Sequence, residues 1–166
     1  LQSDWSSDVC SPILPLVATY AQSQGVKAHG MNLGGRYVFP FGSVKFVPAL
    51  HSSGYEIDGV MTYMGEASGI ILEAEDKKIY HAGDTALFSD MRLFAKDKSI
   101  DVAFLPIGDN YTMGPEDALE AVSYLNPKIT IPIHYNTFPV IQQNPAIFVE
   151  QVVGGKVLNP GETILV

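Results

Sequence analysis

Ile79-Tyr80-His81-Ala82-Gly83-Asp84-Thr85 decides how this chain is read. A short β-forming run reaches His81, and Gly83 then frees the backbone to turn. A strand that ends this way lifts the Asp84 carboxylate off the sheet edge, where a hard or borderline metal ion finds an oxygen donor. Two other stretches repeat the pattern. Val47-Pro48-Ala49-Leu50-His51 closes an earlier strand on an imidazole, and Ile131-Pro132-Ile133-His134-Tyr135 closes a later one on another. Three strand ends, each delivering a metal-type donor, make His51, Asp84 and His134 the candidate ligands.

Plainer duties stay open at each position. Asp84 suits the N-cap of a helix starting near Ala86 equally well. A lone His134 at a strand end fits a hydrogen-bonded core histidine, and Leu50-His51-Ser52-Ser53 has little specificity by itself. His81 alternates with Tyr80, so it either points away from Asp84 in a structural role or backs it. Asp109 and Asn110 form turns by residue type or line a pocket beside the ligands. His29, in a Gly-rich loop, reads as structural.

The surrounding pattern predicts strands first and then β-α-β-α-β. Leu16 to Gln24 has helical spacing and stops at Gly25. Phe39–Phe41 and Val44–Leu50 read as a hairpin around Gly42-Ser43. A polar loop follows from His51 to Gly59, then a strand over Val60–Met64. Ile70–Leu72 pairs with Ile79-Tyr80 across an Asp76-Lys77 turn. Ala86 to Lys96 reads as an amphipathic helix burying Leu87, Met91 and Leu93-Phe94. The apolar run Asp101–Ile107 is a strand covered on both faces. Pro115 and acidic Glu116-Asp117 open a helix to Leu125. Ile129–Ile133 is a strand, Pro145–Val153 a helix, and Lys156–Leu158 with Thr163–Val166 are expected to complete the sheet.

In order, the Val47–His51 strand, His81-Ala82-Gly83-Asp84-Thr85, the loop from Phe104 to Ala118 and Pro132-Ile133-His134-Tyr135-Asn136-Thr137-Phe138-Pro139 resemble the metallo-β-lactamase superfamily. They are most similar to a bacterial metal-dependent hydrolase branch related to ascorbate-lactone lactonases and N-acyl-phosphatidylethanolamine phospholipase D, from about Val26 to Val166. The resemblance implies an α/β protein (α+β in some schemes), the C-terminal portion of an αββα sandwich. It implies a pair of Zn²⁺ ions, or Mn²⁺, with Asp84 bridging, His51 on one ion and His134 on the other. His81, Thr85, Asp109 and Asn110 would back these ligands or line the substrate pocket. The implied reaction is hydrolysis of an ester, lactone or phosphodiester-type bond in a small molecule by metal-activated water. The H-x-H-x-D-H motif carried by the family, including the Asp that orients the nucleophile, is absent from a chain whose four histidines stand at 29, 51, 81 and 134. An inactive fragment, or a metal-free binding module on the same scaffold, is the alternative.

The N-terminus carries a second resemblance. Asp4-Trp5-Ser6-Ser7-Asp8-Val9-Cys10-Ser11 is similar to the in-frame translation of a sequencing-library adapter, so residues 1–13 are expected to be non-native and 14–166 to be an incomplete hydrolase domain. At 166 residues, 46% hydrophobic and 17% charged, the chain can bury one core. A net charge of −8 without a basic patch argues against nucleic acid held by charge. No run is long enough to span a membrane. The only Cys lies in the adapter-like segment, and with no leader visible the cytoplasm is the default location.

Overall fold

The structure, a computed structural model, describes residues 11–166. Most of the adapter-like segment therefore lies outside the described residues. Its end does not: β1 (Ser11–Ile13) pairs in parallel with β2 (Ala28–Gly30), on either side of α1 (Pro15–Ser23). Pro15 occupies the first turn of α1, where its missing N–H has no partner to lose.

A six-stranded mixed sheet organises the rest. Its strands are β3 (Arg36–Phe39), β4 (Gly42–Pro48), β7 (Ser68–Ala74), β8 (Lys77–His81), β9 (Val102–Pro106) and β10 (Ile129–Ile133), in the order β10-β9-β8-β7-β4-β3. The last three in sequence, β8, β9 and β10, run parallel; the others pair antiparallel. Crossovers set this division. Between β9 and β10 the chain returns through α2 (Pro115–Leu125), as a parallel connection requires. β7 turns straight into β8 through Glu75 and Asp76, both left-handed with φ of 49° and 61°. Two residues with positive φ match the twist of a tight hairpin, so the turn sits one residue earlier than expected.

Alternation along the strands feeds two cores. Ile71, Tyr80, Ala103 and Leu105 face a layer made by Ala118, Ala121 and Leu125 of α2 together with Phe148, Met91 and Phe94. Val44 and Phe46 point the other way, against Phe39, Met31 and Leu14, with Ile70, Leu72 and Val17 packed around them. Burial of each large side chain here is worth about 1.5–3 kcal/mol. The result is the layered α/β arrangement expected.

Five further element readings are corrected. The β3–β4 turn is Pro40-Phe41 rather than Gly42-Ser43. The supposed loop after His51 contains β5 (Gly54–Ile57), which pairs with β6 (Val60–Tyr63) in a separate hairpin. Ala86 to Lys96 forms only a 3₁₀ helix at Ser89–Leu93; Met91 and Phe94 are buried, but Leu93 is 61% exposed. The Lys78 ammonium explains the short helix. It is buried and donates to the carbonyls of Phe94 (2.5 Å) and Lys98 (3.2 Å), taking acceptors a continuing helix would use. Finally, α3 (Pro145–Glu150) ends early, and residues 156–166 form no strand. A single bridge joins Thr130 to Gly155, while Leu165 is 97% exposed.

Candidate metal centre

Because β8, β9 and β10 are parallel, their following loops emerge at one edge of the sheet. That edge receives Gly83-Asp84-Thr85, Gly108-Asp109-Asn110 and His134. Gly83 turns with φ of 65°, and a Cβ there would lie 2.8 Å from the Ser68 carbonyl oxygen, so only glycine fits. The Gly83 N–H donates to His81 Nδ1 at 3.1 Å. That bond makes Nδ1 the acceptor and places the neutral ring's proton on Nε2. Desolvation pushes the His81 pKa down, with the Asp84 charge pulling it back up. The ring stacks on Phe104 at 5.5 Å. His81 therefore shapes the turn that presents Asp84.

No helix begins at Ala86, the next helical turn starting at Ser89, which removes Asp84's duty as a helix cap. Its carboxylate is 47% exposed and faces His134, with Oδ2 3.5 Å from Nε2. A charge-assisted hydrogen bond is normally about 2.7–2.9 Å. Two donors held about 2.0–2.1 Å from one tetrahedral ion, by contrast, stand roughly 3.3 Å apart. The pair has the spacing of co-ligands, and imidazole with carboxylate is a donor set that zinc accepts.

The backbone, rather than a hydrogen bond, fixes the His134 ring. His134 has φ of 53°, and its Nδ1 is buried without a hydrogen-bond partner among the described residues. Gly108 packs beneath it. A Cβ at 108 would fall 2.3 Å from the His134 carbonyl oxygen and 3.1 Å from Nδ1. Any other residue at 108 would push the imidazole away.

Thr85 ties the loops together. It is fully buried. Its Oγ1 accepts from Leu50 N–H at 2.9 Å and donates to the Ala86 carbonyl at 2.8 Å. Ala86 N–H returns a bond to the Leu50 carbonyl at 3.0 Å, and Met113 N–H donates to the Thr85 carbonyl at 2.9 Å. His51 thus follows Leu50, which is latched beside Asp84 two residues past the end of β4. Its own ring is exposed, with Nδ1 2.8 Å from the Ser52 carbonyl. Among the described residues no three His, Cys, Asp or Glu side chains come together as a metal-holding group. Asp84 and His134 meet, and His51 does not complete such a group with them.

Asp109 and Asn110 act as turn formers. Both have positive φ, 61° and 49°. Asp109 Oδ1 accepts from Asn110 N–H at 2.8 Å, the Asp109 carbonyl accepts from Tyr111 and Thr112 N–H, and Asp109 N–H donates to Met113. Two side chains at the same edge were not singled out by sequence. Phe138 meets the His134 ring edge-on at 6.4 Å, and Tyr111 lies 6.1 Å from Phe138. The available signal was an aromatic in each turn-rich loop following β9 and β10.

The Beta-lactamase superfamily domain matches residues 8–135, most of the chain. The chain belongs to the metallo-β-lactamase superfamily. A UPF0173 metal-dependent hydrolase of Enterococcus faecalis is 97% identical over 150 residues, covering 90% of this chain and 67% of that protein. A Bacillus cereus metal-dependent hydrolase is 54% identical over 152 residues, covering 89% and 67%. Among solved structures, Igni18, a metallo hydrolase of the archaeon Ignicoccus hospitalis, superposes with a TM-score of 0.83 at 33% identity, over 94% of this chain and 68% of that one. An isothiocyanate hydrolase from Delia radicum gut bacteria shares the fold at a TM-score of 0.66 and 20% identity, over 89% and 64%. The superfamily's dependence on metal accords with a carboxylate and an imidazole meeting at the carboxyl ends of parallel strands. No helix among the described residues is long and apolar enough to cross a membrane.

Proposed function

We propose that this chain carries part of the metal centre of a hydrolase that cleaves an ester, lactone or phosphodiester-type bond in a small molecule. The observation supporting it is the 3.5 Å approach of Asp84 Oδ2 to His134 Nε2 on strand-end loops held by Thr85 and Gly108. Asp84 and His134 would hold the ion, Zn²⁺ in the first instance and Mn²⁺ otherwise, with His51 brought in from the latched Leu50 loop. When bound, such an ion lowers the pKa of water towards neutrality and polarises the scissile oxygen.

The chain's own residues prepare the place for that chemistry. Asp84 offers a half-exposed carboxylate, and Gly83 and His81 aim it. His134 presents Nε2 from a backbone already turned to receive it. Thr85 holds the Asp84, Leu50 and Met113 loops at fixed separations. Asp109 and Asn110 shape the floor beside them and are proposed to line the substrate pocket.

Catalytic zinc sites usually take three protein ligands per ion, whereas two donors converge here. The chain alone is therefore proposed to take up metal weakly and to hydrolyse negligibly. The test is metal content after dialysis against Zn²⁺ or Mn²⁺, with turnover of a lactone and a phosphodiester. Wild type is expected to retain at most one weakly held ion, and Asp84→Asn or His134→Gln to lose at least about tenfold in affinity, the low end of what even an outer partner of a ligand costs. Unchanged uptake in both variants defeats the metal assignment. Two tightly held ions or rapid turnover in wild type defeat the view that this chain alone is inert.

A further inference from the structure

The loops after β9 and β10 leave two aromatic rings at the edge of the site: Tyr111 is 56% and Phe138 is 43% exposed. Exposing large aromatics forgoes burial energy, yet these sit on well-braced turns. Met113 N–H is bonded to Thr85 and Asp109 N–H to Met113 in the first loop. In the second, Asn136 N–H donates to the Ile141 carbonyl at 2.9 Å, and Gln143 N–H donates to Asn136 Oδ1 at 2.8 Å. Ile141 is fully buried and anchors the turn below Phe138. The rings are continuous with the candidate centre, running from His134 to Phe138 at 6.4 Å and on to Tyr111 at 6.1 Å. A cavity of about 430 Å³ on the Tyr111 loop is lined by Asp109, two residues before that ring, and by Glu116, Asp117 and Gln143, and the whole chain carries −8. An anion approaching from this side meets like charge; an uncharged hydrocarbon meets exposed aromatic surface.

We propose that Tyr111 and Phe138 form the shelf that selects substrate, receiving the hydrocarbon arm of an uncharged ester or lactone. This rests on Asp84 and His134 being the hydrolytic centre. It narrows the substrate class: of the bond types the centre accommodates, neutral acyl compounds fit this wall and anionic phosphodiesters do not.

The experiment measures dissociation constants of γ-butyrolactone, γ-hexalactone, γ-octalactone and γ-decalactone by ligand-observed NMR, with dibutyl phosphate as the charged comparison. Zinc uptake is measured in parallel on every protein. In wild type, affinity is expected to rise about threefold to fourfold per methylene until the shelf is covered, and dibutyl phosphate to bind more weakly than γ-octalactone. The Tyr111→Ser/Phe138→Ser variant should flatten the series. Both side chains are exposed, so folding survives, as a thermal melt would verify. Val153→Ser, which removes a 93% exposed side chain next to Gly154 at the other end of β10, should leave the series steep. A flat wild-type series, an unaltered series in the double variant, or preferred binding of dibutyl phosphate overturns the proposal. Zinc uptake separates the two readings: a steep series without zinc binding sinks the metal centre alone, and zinc binding with a flat series sinks the shelf alone.

Discussion

Two aspartates at opposite ends of the parallel strands show what this fold does with a carboxylate. Asp101, at the start of β9, is 3% exposed and fully engaged. Its Oδ1 meets the Lys128 ammonium at 2.7 Å, and its Oδ2 takes the Lys78 N–H at 2.8 Å. Asp84, after β8, is half exposed, and its Oδ2 stands 3.5 Å from His134 Nε2. One end of the sheet spends its carboxylate on joining strands; the other holds it ready. Saturated hydrogen bonding marks a residue that stabilises, and spare acceptor capacity at a strand end marks one that can bind.

The largest expected effect tests the closed end. Asp101→Ala strands the buried Lys78 N–H and releases the solvent-facing Lys128 ammonium, and should cost about 3 kcal/mol, mainly from the lost bond between that N–H and a buried carboxylate. In a chain of this size that is roughly 6–12 °C in Tm, read by calorimetry. The pH dependence follows from the same contacts. The Lys128 hydrogen bond, then the Lys78 N–H, hold the Asp101 pKa below its ordinary value. Its contribution is thus complete above the unfolded pKa of about 3.9 and is lost as pH falls through the depressed folded value. Wild type should lose stability over that acid window, and Asp101→Ala should show a shallower acid limb. An equal slope in both would remove Asp101 from the account.

Gly108→Ala strikes the open end from below. The methyl would displace the His134 carbonyl and ring, for an expected cost of about 1–3 kcal/mol, accompanied by a fall in zinc uptake. A melt shifted without any change in uptake would show that Gly108 supports the fold but not the imidazole. The smallest effect sharpens the contrast most. Asp84→Asn should alter stability by no more than about 0.5 kcal/mol while reducing metal affinity. Were its Tm to fall as far as that of Asp101→Ala, the two ends of the sheet would not differ in kind.

Much of this arrangement was legible in local sequence. β9, α2 and β10 follow from an unbroken apolar run, a Pro with two acidic residues at a helix start, and a second short run. Each is decided within a few residues, so tertiary packing had little to override. Ala86 to Lys96 was not legible, because its helical spacing competes with the Lys78 ammonium, sixteen residues before the Phe94 carbonyl it binds. Nor was β5, whose pairing with β6 shows only in three dimensions. Asp84 and His134 could be named from strand ends, yet their pairing depends on the parallel order of β8, β9 and β10. His51 could be named equally well, and among the described residues no third donor joins the pair in one group.

The left-handed backbone at His134 also limits what this position can become. Few side chains tolerate a φ of 53°; besides Gly, the ones that do so most readily are Asn, Asp and His. Two of those, His and Asp, are metal donors. Drift here can exchange an imidazole for a carboxylate, moving the site's preference towards harder ions. A β-branched replacement is shut out by the main chain, before any question of chemistry arises. The backbone thus narrows which metals the descendants of this chain can adopt.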